Sequence, residues 1–153
     1  MAAPRIEDSV EINATPEAVW SVISDLKRMG EWSPQCQKMI VFGGEVKQGA
    51  RTLNVNRRGP LVWPTNAKVV AFEPNREVAF RVFENRTVWS YRIEPSANGV
   101  TLTESRAAAG GKTTAVSAFL VDKVFGGEES FEAELGEGIR ETLGKIKRAA
   151  EAS

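Results

Sequence analysis

The sequence contains no histidine. That absence excludes the Ser-His-Asp triad, the Cys-His pair and every His-ligated zinc site. Any proton transfer must fall to Asp, Glu, Tyr, Lys, Arg or bound water. There is one cysteine, Cys36, which excludes an internal disulfide framework. With no imidazole to activate it, Cys36 reads as a small packing or surface residue and not a reactive thiol. There is no charge excess, because 20 Lys and Arg balance 20 Asp and Glu. No basic run stands out, so the sequence shows no electrostatic footprint for nucleic acid or an anionic membrane. No apolar stretch reaches the roughly 18 residues of a membrane span. The start, MAAPRIEDSVEINAT, has no apolar signal core. The expectation is a soluble, cytoplasmic protein with no membrane insertion, nucleic-acid partner, metal or cofactor.

What is present suffices for a core. The 153 residues are 42% apolar, which predicts one domain over 1–153. Ile6, Asp8, Val10 and Ile12 alternate with charged neighbours, the pattern of a short strand with one buried face. Thr15 then Pro16 marks a helix start, a hydroxyl cap followed by proline at the first helical position. Val19, Val22, Ile23 and Leu26 give that helix a buried stripe. Gly30 is expected to end it, directly or after a second short turn of helix, with WSPQ as an extended connector. From 35 to 108, turn signals at GG (43–44), RRGP (57–60), EPNR (73–76), ENRT (84–87) and EPSANG (94–99) separate alternating, β-branched or aromatic runs. Connections this short require antiparallel neighbours.

The turns set a register. With Asn85 and Arg86 as a two-residue loop, Val82 faces Trp89 and Phe80 faces Tyr91. With Pro74 and Asn75 central in the preceding turn, Val69 faces Phe80 and Ala71 faces Val78. The inward row is then Ala67, Val69, Ala71, Val78, Phe80 and Val82, continued by Trp89, Tyr91 and Ile93. Lys68, Arg81 and Arg92 fall outside. A one-residue slip would invert all of them. The hairpin at 57–60 stays open: a three-residue loop turns Leu53, Val55 and Arg57 inward, and a two-residue loop turns Asn54 and Asn56 inward. Towards the C-terminus, Val116, Phe119 and Leu120 are helically spaced, with a glycine hinge at 126–127. Phe131, Leu135, Ile139, Leu143 and Ile146 then recur every three or four residues. One long helix against one antiparallel sheet makes an α+β architecture.

Four stretches in this order, VEINATPEAVWSVISDLKRMGEWSP (10–34), VVAFEPNREVAFRV (69–82), VWSYRIEPSANGVTLTES (88–105) and GIRETLGKIKRAAE (138–151), resemble the START-like (SRPBCC) superfamily in its polyketide cyclase/dehydrase and lipid-transport branch. The resemblance implies a helix-grip fold. A seven-stranded antiparallel sheet would curl round a long C-terminal helix, with two short helices between the first two strands and a cavity between sheet and helix. It implies fold more strongly than function, since the family includes cyclases, lipid carriers and proteins without an assigned reaction. It also assigns Trp32 to the core, as a tryptophan frequent in the family.

Within that cavity, Trp89 and Tyr91 would form an aromatic wall, or else ordinary core. Ala67, Val69, Phe80 and Leu102 would line the floor, and Leu135, Gly138 and Ile139 the facing helix. Trp63 and Phe119 would stand at the mouth or ends. Gly138 costs about 1 kcal/mol in a helix relative to alanine, which either close approach or ligand volume could justify. Glu104 poses the sharpest question, because it continues the apolar row Val100, Leu102. The carboxylate is expected to pair with Arg106 or Arg57, or to lie at a strand end open to water, or else to serve as a polar anchor or general acid/base. Glu104, Tyr91 and Arg57 are the candidate catalytic set. RAAAGGKTT (106–114) resembles a phosphate loop but lacks its first glycine and the parallel crossover that motif needs. Three classes of function remain: a carrier of an apolar lipid or polyketide-like molecule, a cyclase/aromatase/dehydratase, or an interaction protein with a vestigial cavity. The carrier is expected to be a monomer or weak homodimer.

Overall fold

The computed structural model describes residues 5–34, 36–84, 86–108 and 128–152. Strand β1 (Arg5–Ile12) leads into α1 (Pro16–Ile23), a short 3₁₀ turn (Leu26–Arg28) and α2 (Met29–Trp32). Six strands follow: β2 (Cys36–Val41), β3 (Arg51–Arg58), β4 (Leu61–Glu73), β5 (Glu77–Val82), β6 (Thr87–Ser96) and β7 (Gly99–Ala108). Helix α3 (Glu128–Ala152) completes the described chain. All strands pair antiparallel in the order β1-β7-β6-β5-β4-β3-β2, the curved seven-stranded sheet of the helix-grip fold.

The local chemistry explains the starts and stops. Thr15 caps α1, its Oγ1 accepting from Ala18 N at 3.1 Å, with Pro16 at the head of the helix. Gly30 does not end that helix. It lies inside α2, where an added Cβ would stand 2.0 Å from the Gln37 carbonyl oxygen of β2. Only glycine allows that approach.

Register holds in face and differs in partner. β5 and β6 are joined by residues 83–86, with Arg86 at φ 55°, so Val82 faces Thr87, Phe80 faces Trp89 and Val78 faces Tyr91. The slip relative to the shorter loop is even, so every side chain keeps its face. Lys68 and Arg81 lie on the convex side, as expected. A bulge follows Val69, so that Ala71 pairs with Ala79, and Phe72 with Val78. Ala71 therefore leaves the concave row. Phe72 enters it and packs edge-on to Trp20 at 5.1 Å between ring centroids. The β3–β4 hairpin closes on Gly59 and Pro60, pairing Arg58 with Leu61. That selects the two-residue loop and turns Asn54 and Asn56 inward.

The core lies between the concave face and the helices. Ile139, Leu143, Ile146 and Ala150 are its α3 contribution. Helix α3 packs on β1, β7, α1 and α2. Its C-terminal end is fixed to β1: Lys147 Nζ donates to the Glu11 carbonyl at 2.6 Å, and Glu151 Oε2 accepts from Asn13 N at 2.8 Å. Trp32 is buried in the same core. Phe119, Leu120 and the glycine hinge lie outside the described residues, so the structure says nothing of their expected roles.

Candidate functional site

Along β7, even-numbered residues face inward. Cross-strand neighbours place Asp8, Glu104, Tyr91 and Val78 in one row over β1, β7, β6 and β5. Glu104 is 2% exposed and Tyr91 3%. The Tyr91 hydroxyl donates to Glu104 Oε2 at 3.0 Å and stands 3.6 Å from Met29 Sδ. Glu104 Oε1 is buried and has no hydrogen-bond partner among the described residues.

This geometry sets the ionisation. Burial raises the Glu104 carboxyl from 4.5 to about 8, against a smaller lowering by the Tyr91 hydrogen bond. The group is therefore neutral at pH 7, with a proton for Oε1 to donate. Burial, then the neighbouring Glu104, pushes the Tyr91 phenol well above its usual value. Tyr91 is a fixed donor here, not a base.

Neither ion pair expected for Glu104 forms. Arg57 lies on the convex side, exposed, with Nε donating to the Gly59 carbonyl at 2.8 Å. The short hairpin is the physical cause, and it removes Arg57 from the candidate catalytic set. Arg106 is buried, one inward position along β7, in the row of Trp89 and Ile6. It makes its contacts elsewhere, since Oε2 of Glu104 is held by Tyr91 and Oε1 is unpartnered.

The other cavity candidates stand as follows. Ala67, Val69, Phe80 and Leu102 are buried on the concave face, and Leu135 and Ile139 are buried on α3. Trp89 is half-buried in the row of Phe80 and Arg106. Trp63 is half-buried opposite Asn56, whose Nδ2 donates to its carbonyl at 3.3 Å. Gly138 has a plainer cause than ligand volume. An added Cβ would meet Pro34 Cγ at 3.3 Å, so α3 packs there against the α2–β2 connector and not the sheet. Cys36 is also inert, its thiol pushed up to about 11 by burial.

A second polar cluster was visible in sequence only as one of two hairpin alternatives. Thr52 Oγ1 donates to Asn54 Oδ1 at 2.8 Å, and Asn54 Nδ2 donates to Thr65 Oγ1 at 3.2 Å. Asn56 Nδ2 reaches the same Thr65 oxygen at 3.0 Å. Met29 had no signal beyond its place near the short helices. A separate depression of about 440 Å³, bounded by Phe42, Gly49, Ala50 and Arg51 in the β2–β3 region, does not include Glu104 or Tyr91.

Residues 3–151 match the model of the family described as polyketide cyclase/dehydrase and lipid transport. No curated protein matches the chain in sequence. Among solved structures, the Polyketide_cyc-like protein Cgl2372 from Corynebacterium glutamicum is 33% identical over 97% of this chain and 91% of its own, with a TM-score of 0.66. TTHA0849 from Thermus thermophilus shares the fold at 15% identity, over 97% of this chain and 98% of its own, TM-score 0.69. The di-domain ARO/CYC StfQ from the steffimycin biosynthetic pathway shares it at 12% identity and TM-score 0.70. The alignment with StfQ covers 97% of this chain and 49% of that one, so the present chain spans about half of it. No described helix is long and apolar enough to cross a membrane. With strand order, short helices and long final helix all in place, and the family match running from residue 3 to residue 151, the chain belongs to the polyketide cyclase/dehydrase and lipid transport family.

Proposed function

We propose that the chain binds an apolar small molecule carrying a hydrogen-bond acceptor, a lipid or polyketide-like compound, between the concave face and α3. Glu104 is the neutral polar anchor. One observation carries this reading: Glu104 Oε1 is buried and has no hydrogen-bond partner among the described residues, at the end of an apolar row. A buried polar atom left unpaired costs about 1–3 kcal/mol, and a ligand oxygen would recover that cost. Tyr91 holds Oε2, which leaves Oε1–H to donate to a carbonyl or ether oxygen. Leu102, Val69 and Phe80 supply apolar contact, worth about 25 cal/mol per Å² buried before ordering costs.

A second reading is a cyclase or dehydratase acting in the same space. It draws support from the family description and from the likeness to the ARO/CYC protein StfQ. A carboxyl titrating at about 8 is well matched to proton transfer near neutral pH. In that role Glu104 would protonate a substrate carbonyl oxygen from Oε1, and Tyr91 would hold the carboxyl in place throughout.

Titration with a fatty-acid-like fluorophore and a neutral aromatic ketone separates these readings. Glu104→Gln keeps an N–H donor, so a carrier should bind the ketone nearly as the wild type does. Glu104→Leu should weaken ketone binding by about fivefold to tenfold, the worth of one net hydrogen bond. An enzyme should retain binding in Glu104→Gln and lose turnover by about 10²-fold or more. No binding of either probe by the wild type would leave the interaction-protein reading in their place.

A further inference from the structure

The convex face of the sheet is divided. Over β1, β6 and β7 it presents Glu7, Glu11, Ser90, Thr101 and Thr103, and Arg92 there is paired with Glu94 at 3.0 Å. Over β2 to β5 it presents cations among apolar side chains. Arg51 stands directly opposite Lys68, and Lys68 directly opposite Arg81, so three exposed cations share one cross-strand row. Like charges in opposed positions repel. None of the three has an ion pair among the described residues. Lys38 and Arg57 are exposed on the same face, opposite Val55 and Val62.

The nearby carboxylates are engaged or remote. Glu84 accepts from Asn66 N and Nδ2 at 2.8 and 2.7 Å. Glu45 pairs with Lys47 in the β2–β3 loop at 3.8 Å. Glu73 and Glu77 oppose each other at the far end, by the β4–β5 turn. Large apolar side chains flank the cations. Phe42, at 55% exposure, extends the row beyond Arg51, and Val62 is 56% exposed at the hairpin. Ile40, Val70 and Phe83 are exposed too, and the Arg51 guanidinium lies 5.8 Å from the Phe83 ring centroid.

We propose that this convex, cation-bearing face docks peripherally on an anionic bilayer surface, with Arg51, Lys68 and Arg81 meeting lipid phosphates and Phe42, Val62 and Phe83 entering the interface. Exposed apolar patches interleaved with cations suit an interfacial environment. A bilayer is favoured over a polypeptide because the cations are spread over three strands and interleaved with exposed Phe42, Val62 and Phe83, which suits a laterally extended anionic surface with an apolar layer beneath it. A second copy is disfavoured as well. A twofold contact sets the same patch against itself, which would bring Arg51, Lys68 and Arg81 up against their own kind. The feature leaves no trace in sequence, since these cations come from three separate strands. It is also independent of what the concave side binds.

The test is sedimentation of the whole chain with vesicles of pure phosphatidylcholine and of phosphatidylcholine mixed with phosphatidylglycerol, at low and high salt. Binding is expected to the mixed vesicles at low salt, with loss at high salt. The combined variant Arg51→Gln, Lys68→Gln, Arg81→Gln should lose about fivefold in affinity per charge removed. Phe42→Ser should weaken binding with the charges intact. Circular dichroism controls for folding, and Lys68→Gln alone serves if the combined variant unfolds. Failure of the wild type to sediment with the mixed vesicles overturns the proposal, as does unchanged binding by the charge variants. Binding to polyglutamate but not to vesicles would assign the face to an acidic polypeptide instead.

Discussion

On β3 and β4, Thr52, Asn54, Asn56 and Thr65 hydrogen-bond one another, and Asn54 uses both its carbonyl and its amide. On β6 and β7, Tyr91 donates to Glu104 Oε2, and Oε1 has no hydrogen-bond partner among the described residues. Both clusters face the same concavity, and all their residues but the half-buried Asn56 are buried. The first uses its own partners and reads as structure: it fixes how β3 lies on β4. The second holds a carboxyl in apolar surroundings and keeps one oxygen unspent. Burying a polar group is tolerable when the fold supplies its partners. Where the fold supplies only half of them, the remaining half is where a ligand can act.

The contrast is broken most forcefully by pH. Below pH 4.5 the Glu104 carboxyl is neutral whether the chain is folded or not. As pH rises through about 8, the folded state must hold an ion in that site. The folded value is raised, so stability is full at low pH and falls as pH rises. The loss attributable to Glu104 should approach about 4–5 kcal/mol between those limits. Glu104→Gln should flatten the profile and be more stable than the wild type in alkali. Urea denaturation across the pH series measures both, and parallel curves for the two proteins would refute the buried neutral acid.

An apolar truncation calibrates the scale. Ile139→Ala, on the buried stripe of α3, should cost roughly 2–5 kcal/mol at every pH, read by the same denaturation. A loss under about 1 kcal/mol would take Ile139 out of the core. Asn54→Ala should follow, at about 1–3 kcal/mol, because it strands the Thr52 hydroxyl. It should leave ketone binding unaltered, since that cluster has nothing spare to offer; a large change in affinity would erase the distinction between the two clusters. The smallest effect belongs to Tyr91→Phe. Its hydroxyl lowers the Glu104 value, so removing it should leave the onset of the loss unchanged but extend it to higher pH and deepen it, beside a cost of about 1 kcal/mol for the hydrogen bond.

Faces were more legible than partners. Alternation with a period of two fixes which side chains point inward, and an even slip leaves that unchanged; Phe80 and Tyr91 were thus placed correctly although each faces a different residue. Ala71 failed because a bulge inserts one residue and inverts every later position of the strand, and the run VVAFEPN carries no glycine or proline to mark it before the turn. Arg57 depended on whether its hairpin holds two residues or three, a choice made by backbone geometry at Gly59. Glu104 beside Tyr91 was within reach of the EPSANG turn. The sulfur of Met29 against that phenol was not, because it depends on how the short helices settle on the sheet. Gly138 against Pro34 likewise joins elements far apart in sequence.

Among the described residues strand β1 pairs with β7 alone, with Ile6 opposite Arg106 and Ile12 opposite Val100. Helix α3 then fixes the end of β1, Lys147 donating to the Glu11 carbonyl and Glu151 accepting from the Asn13 amide. During synthesis the hairpins from β2 to β7 can form as they emerge, but the first strand has no place until β7 exists. Until then β1 and the outer edge of β6 stand open, rows of unpaired amides and carbonyls able to recruit a strand from another chain. Long-range pairings of this kind form slowly. Nascent chains that have not yet completed β7 are therefore the species most exposed to aggregation, and a chaperone would act on that interval rather than on the finished fold.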